Sequence, residues 1–216
     1  MILLALMLAA ETGAVSGKVT LTGLPPKLAN LPVTRDQKAC GTSKPDESLE
    51  VKDGGIKNAV VWLADVPEEK GSKPPKAKLD QQQCAFVPHI VVATKDATLD
   101  VVNSDKALHN VRAQQGETRL FNYAMPIPGH VVPTKLKKDG TFKVSCDVHP
   151  WMRAWLLVLP TAKSAITGED GTYKIEGVPA GKHKVKVWHE RLGEREAEIE
   201  VSAGQAAAYN VEYTPR

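Results

Sequence analysis

The chain has 216 residues, of which 42% are hydrophobic and 25% charged, and a formal net charge of +3. That length accommodates one large or two small domains, each with its own core, and no basic stripe with interleaved aromatics appears, so nucleic-acid binding is excluded as an expectation. With 16 glycines and 15 prolines among short runs rich in Val and Thr, the segments are too punctuated for a helical protein, and all-β is the expected class.

Ile2 to Ala10 is a short apolar run ending in small residues. It resembles the core of a secretory signal, without a basic n-region, and is far too short to span a bilayer. Residues 1–12 are therefore expected to be a signal segment, leaving no transmembrane span in the mature chain. Val15, Gly17, Val19 and Leu21 then alternate with Ser16, Lys18, Thr20 and Thr22 as a half-buried strand, which Gly23 and Pro25-Pro26 end. From Lys27 to Gly55 the pattern is irregular and polar, a loop that needs a tether. Asn58 to Val66 is apolar on both faces and reads as a central strand.

KGSKPPKAK, over 70–78, is a charged, proline-rich connector between lobes. Strand candidates follow at Ala85 to Ala93, Thr98 to Asn103, Leu108 to Ala113, Arg119 to Tyr123, Val131 to Leu136, Thr141 to Cys146 and Ala154 to Leu159, spaced as in a β-sandwich. After Leu159 the alternation resumes through Tyr173 and Ile175, Val185 and Val187, Ala197 to Val201, and Tyr209 to Tyr213.

Chemistry concentrates in TFKVSCDVHPWMRAW, over 141–155. Phe142, Val144 and Cys146 share the inward face of a strand, and His149 and Met152 lie on the turn that follows. A thiolate, an imidazole and a weak thioether, completed by a second imidazole, make the trigonal-plus-axial set of a mononuclear copper site. His109 supplies that imidazole, because it shares a face with Val111 and Ala113. Asn110 is expected to tie the His109 strand to the cysteine loop, and Pro150 to restrict that loop by fixing φ and removing a donor. The set leaves no open coordination position, and no nucleophile, base and oxyanion hole accompany it, so no catalytic residue is expected. Structural zinc has little use for a thioether. If Cys146 holds metal, Cys40 and Cys84 remain to pair in an oxidising compartment, the alternative being two ordinary thiols. A periplasmic or secreted protein is expected.

VNSDKALHNV and GTFKVSCDVHPWM resemble the two ligand-bearing segments of cupredoxins, and the Cys146, His149, Met152 spacing with Pro150 is similar to the amicyanin subgroup. The resemblance covers roughly 78–159, not including 114–132, and implies His109 and His149 as imidazole ligands, Cys146 as thiolate, Met152 as axial ligand and one Cu(I)/Cu(II) ion. Asp170, Gly171, Tyr173, Val178, Pro179 and Gly181, with GAVSGKVTLTG and NAVVWLADV, resemble carboxypeptidase-regulatory-like domains. The expected architecture is a cupredoxin-like Greek-key sandwich, residues 79–160, inserted in or packed on a second small sandwich made of 13–66 plus 161–216, with 67–78 as connector.

The other histidines carry no metal role: His189 is expected to be buried and hydrogen-bonded, His89 to start a strand, His130 to lie in a turn and His183 to point outward. Lys135, Lys137, Lys138, Lys143 and Arg153 form a solvated face or, less simply, steer an acidic partner. The expected function is blue-copper electron transfer with an unidentified redox partner protein. The alternatives are copper storage, delivery or sensing, and an extracellular adhesion or carbohydrate-binding module.

Overall fold

A computed structural model describes residues 11–68 and 71–215, almost entirely as strands and turns, with one helical turn at Gln37–Cys40 among the described residues. The expected leader lies outside them except for its last two residues, and Thr12 already opens the first strand.

Thr12–Leu21 is the centre of one sheet. It pairs antiparallel with Thr172–Pro179, and parallel with Ala206–Ala208 and Val211–Tyr213; a small hairpin of Val51–Lys52 and Gly55–Ile56 joins at Thr20. Gly17 is required there, since a Cβ on it would lie 1.9 Å from the Tyr209 carbonyl oxygen. The facing sheet runs Ser164–Ile166, Val60–Leu63, Gly181–His189, Gly193–Val201. Alternate residues of the two sheets, among them Val15, Val19, Val61, Leu63, Tyr173, Ile175, Val185, Val187 and Tyr213, form one buried core. Residues from before and after the middle of the chain thus share a single interior.

The middle of the chain makes a second sandwich. One sheet has the order His130–Lys135, Thr98–Asn103, Ala77–Gln82, Ala85–Val87, and the other Thr118–Met125, His109–Gln115, Gly140–Ser145, Arg153–Leu159, Ile90–Thr94. The expected single strand over 85–93 is divided: Pro88 has no amide hydrogen to continue a ladder, so the chain changes sheets there. Ala77–Gln82, within and just after the expected connector, is a strand that pairs parallel with Thr98–Asn103. Most of its polar interior is paired: buried Asp80 accepts from Ser104 Oγ at 2.9 Å and from Gln82 Nε2 at 2.8 Å, and Gln81 Nε2 donates to the Val102 carbonyl at 2.7 Å, while Gln81 Oε1 is buried without a partner.

The sandwiches meet face to face. Val61 and Leu63 point into the outer core while Val60 and Trp62 pack against Ile90, Leu157 and Leu159, whose strand neighbours Leu156 and Val158 face the core of the middle sandwich. This explains why Asn58 to Val66 is apolar on both faces: each face is covered by a different sandwich. Beside this seam the Trp155 and Trp188 rings meet edge to face at 5.2 Å, and Glu190 accepts from Trp155 Nε1 at 2.9 Å while pairing closely with His89.

Between Leu21 and Val51 the chain leaves the outer sandwich and crosses onto the other. Leu31–Pro32 and Ser43–Lys44 form a small ladder with the Gln37–Cys40 turn between them, and Val33 and Cys40 are buried in the core of the middle sandwich. Cys40 is joined to Cys84 by a disulfide with a Cα–Cα distance of 5.3 Å. The polar loop is thus a strap from one lobe laid over the other.

Candidate metal centre

Two strands and one turn build the centre. Gly140–Ser145 alternates Phe142 and Val144 into the core, so Cys146 follows at its inner end. Ser145 and Arg153 pair across the neighbouring strand, closing residues 146–152 into a tight connection. Within it the His149 amide donates to Cys146 Sγ at 3.4 Å and the Met152 amide to the His149 carbonyl at 2.9 Å, with Pro150 between. His109 opens the adjacent strand, whose alternation buries His109, Val111 and Ala113.

His109 and His149 are both fully buried, and their Nδ1 atoms lie 2.8 Å apart; His149 Nδ1 is 4.0 Å from Cys146 Sγ. Metal–nitrogen bonds of about 2.0 Å and a metal–sulfur bond of about 2.3 Å, values typical of zinc sites, span such separations. Met152 is 1% exposed and packs in the same core as Cys146 and Trp151. It also lines a cavity of about 80 Å³ at the lobe junction, together with Trp151, Phe86, Glu47, His89 and Glu190.

The outer edge of each imidazole is held. His109 Nε2 lies 2.9 Å from Asp105 Oδ2, and His149 Nε2 lies 2.9 Å from Asp36 Oδ2. A proton on each Nε2 is what lets it donate to a carboxylate, and it leaves a lone pair on each Nδ1. Those lone pairs, with the Cys146 sulfur, then converge on one buried point where only a proton or a cation satisfies them. Burial keeps the His109 imidazole below its ordinary pKa, against the opposing pull of Asp105, so a second proton there is disfavoured. The donor set therefore fits a metal ion, and two imidazoles with a thiolate and a nearby thioether suit copper.

Asn110 sits where it ties strand to loop: its Oδ1 accepts from the Asp147 amide at 2.5 Å, and its Nδ2 donates to Asp147 Oδ2 at 2.9 Å. Arg112 adds an ion pair to Asp147 at 2.9 Å. Sequence reasoning did not single out Asp36 or Asp105. Asp105 had a signal, a carboxylate four residues before the histidine in a turn; Asp36, 113 residues from His149, had none.

Elsewhere, His189 is buried and accepts from the Arg191 amide at 3.3 Å, and His130 is exposed. His89 is wedged between Glu47 and Glu190 at the junction. His183, expected outward, is largely covered, with Nε2 donating to the Pro179 carbonyl at 2.7 Å and Nδ1 3.3 Å from Asp65. Lys135 pairs with Thr98 at the strand end remote from Asn103 and His130, whereas Arg153 pairs with Ser145 beside the cysteine loop, so the basic group does not gather on one side of the candidate centre.

No protein-family model matches the chain, and no curated protein matches it. Solved structures do. Amicyanin from Paracoccus versutus matches at 19% identity over 52% of this chain and 92% of its own, with a TM-score of 0.35. A purple cupredoxin from Nitrosopumilus maritimus matches at 17% identity over 38% of this chain and 98% of its own, with a TM-score of 0.33. A Cu-containing nitrite reductase from Thermus scotoductus SA-01 matches at 18% identity and a TM-score of 0.37, over 44% of this chain but only 26% of that enzyme's length. The chain is an all-β protein built of two packed sandwiches. Among the described residues no helix is long and apolar enough to cross a membrane.

Proposed function

We propose that this protein is a mononuclear type 1 copper electron carrier of the periplasm or cell exterior. His109, His149 and Cys146, with the Met152 thioether, would hold the ion. The observation that carries the reading is the convergence of two Nδ1 lone pairs and one thiol sulfur at a buried point, with both outer imidazole edges already engaged. Bound copper would supply a one-electron couple. The chain's own part is to keep the donors in one geometry for both charges: the Ser145–Arg153 pair and Pro150 limit the loop, Asn110 joins loop to strand, and the buried surroundings exclude water. The outer sandwich is proposed as a carboxypeptidase-regulatory-like domain formed from both ends of the chain, and an unidentified redox protein as the partner.

Copper-loaded protein is expected to show an intense visible thiolate-to-copper(II) band that Cys146→Ser abolishes while the metal-free variant melts like the parent. A copper-loaded parent without that band rules the reading out. Rapid loss of copper to a chelator, combined with slow electron self-exchange, would instead favour storage or delivery.

A further inference from the structure

The outer edge of His149 is covered by a residue that its own sandwich does not supply. His149 is fully buried, whereas the Asp36 side chain is 53% exposed, so their contact lies at the boundary between centre and solvent. An imidazole directs Nδ1 at a metal only if its ring is held about the bond to Cβ, and a carboxylate on Nε2 does that. Asp36 is itself fixed. Its backbone is left-handed, with φ 52° and ψ 30°, a conformation Asp tolerates better than most residues, and its carbonyl accepts from the amides of Ala39 at 2.8 Å and Cys40 at 2.9 Å. Gln37 braces the turn by donating to the Val33 carbonyl at 2.7 Å.

The same turn ends at the disulfide. Cys40 is bonded to Cys84, and the Cys84 amide donates at 2.7 Å to the Asp105 oxygen that also holds His109. A continuous path therefore runs from one ligand imidazole through Asp36, one helical turn, a disulfide and Asp105 to the other imidazole. We propose that Asp36 is a positioning residue for His149 and that the strap, locked by Cys40–Cys84, closes the copper centre and governs how readily the metal leaves it. The inference rests on the copper reading above and adds a duty for the outer lobe, which supplies the cover.

The test compares copper-loaded parent, Asp36→Ala, Asp36→Asn, a Cys40→Ser/Cys84→Ser double variant and the triple variant with Asp36→Ala. Two quantities are read: the rate at which excess Cu(I) chelator extracts the reduced metal, and the visible spectrum at equal copper content. Removing such a hydrogen-bond partner costs about 10-fold to 100-fold in metal affinity, so Asp36→Ala is expected to lose copper faster by a comparable factor and to shift the band. Asp36→Asn, whose amide oxygen still accepts from Nε2, should recover most of the parent behaviour. The double variant should resemble Asp36→Ala, and the triple variant should be no faster than the double. Parent-like extraction and spectrum in Asp36→Ala overturn the assignment and leave the copper reading intact. A large loss of melting temperature in metal-free Asp36→Ala also overturns it by making the residue's role structural, and multiplicative rates in the triple variant refute the link through the disulfide. Failure of the parent to take up copper sinks the underlying reading instead.

Discussion

His189 makes the stability of this protein depend on pH in a calculable way. It ends the Gly181–His189 strand at 2% exposure, and its Nδ1 accepts from the Arg191 amide. Burial pushes its pKa from 6.5 down to about 4, with Glu190 pulling the other way and His89 and Arg191 adding to the depression. Between those values the unfolded chain binds the proton and the folded chain does not, so stability rises with pH across this window. The contribution is fully present above the unfolded value and is lost as pH falls from about 6.5 toward about 4. Each pKa unit is worth about 1.4 kcal/mol, which makes the loss near about pH 5 roughly 2 kcal/mol relative to neutral solution. His89 acts in the opposite sense. Burial lowers its pKa, but the hydrogen bond and charge of Glu190, with Glu47, raise it overall, so its contribution is present at low pH and fades as pH rises. Comparing parent with His189→Gln, whose side-chain oxygen still accepts from Arg191, leaves His89 common to both. Urea unfolding of the metal-free, disulfide-intact proteins at about pH 5 and pH 7.5 should show the parent losing about 2 kcal/mol more than the variant. Identical pH dependence in the two would refute the buried neutral imidazole.

Trp62→Ala opens the seam between the sandwiches, where Trp62 is 8% exposed against Ile90, Leu157 and Leu159, and should cost about 3 to 5 kcal/mol in urea unfolding. A loss below about 1 kcal/mol would show that the seam is not tightly packed. Asn110→Ala removes both bonds to Asp147, one of them to a backbone amide, and should cost about 1 to 3 kcal/mol. The copper-loaded spectrum should broaden as the loop gains freedom; an unchanged spectrum and stability would remove Asn110 from any role at the centre.

Legibility in the sequence followed periodicity. Phe142, Val144 and Cys146 announce their shared face by strict alternation, and His109 does so with Val111 and Ala113, whereas His149 and Met152 stand out only as donor residue types on the turn that follows. Asn58 to Val66 was legible as buried on both sides, although not that two different sandwiches bury it. Ala77–Gln82 was hidden because its buried positions are Asp80 and Gln81, whose burial depends on hydrogen-bond partners in other segments. The split at Pro88 was hidden by the apolar run around it, which outweighed the one residue that cannot extend a ladder. Asp36 lay in a stretch with no period at all, and its place opposite His149 depends on a disulfide and on the packing of Val33 and Cys40 in the other lobe.

The pairing of distant segments also imposes an order in time. Val60–Leu63 finds both sheet neighbours, Ser164–Ile166 and Gly181–His189, only in chain that lies beyond the middle sandwich, and Thr12–Leu21 likewise waits for Thr172–Pro179. During synthesis the first strands therefore emerge with open edges, Thr12–Leu21 meeting only the small hairpin at Thr20, while everything needed for the middle sandwich is already available. The middle of the chain can thus take shape first, with the outer sandwich assembled around it last. In that sequence of events the amino-terminal strands spend the longest interval exposed to aggregation, and an exported chain would need them guarded until its final segment arrives.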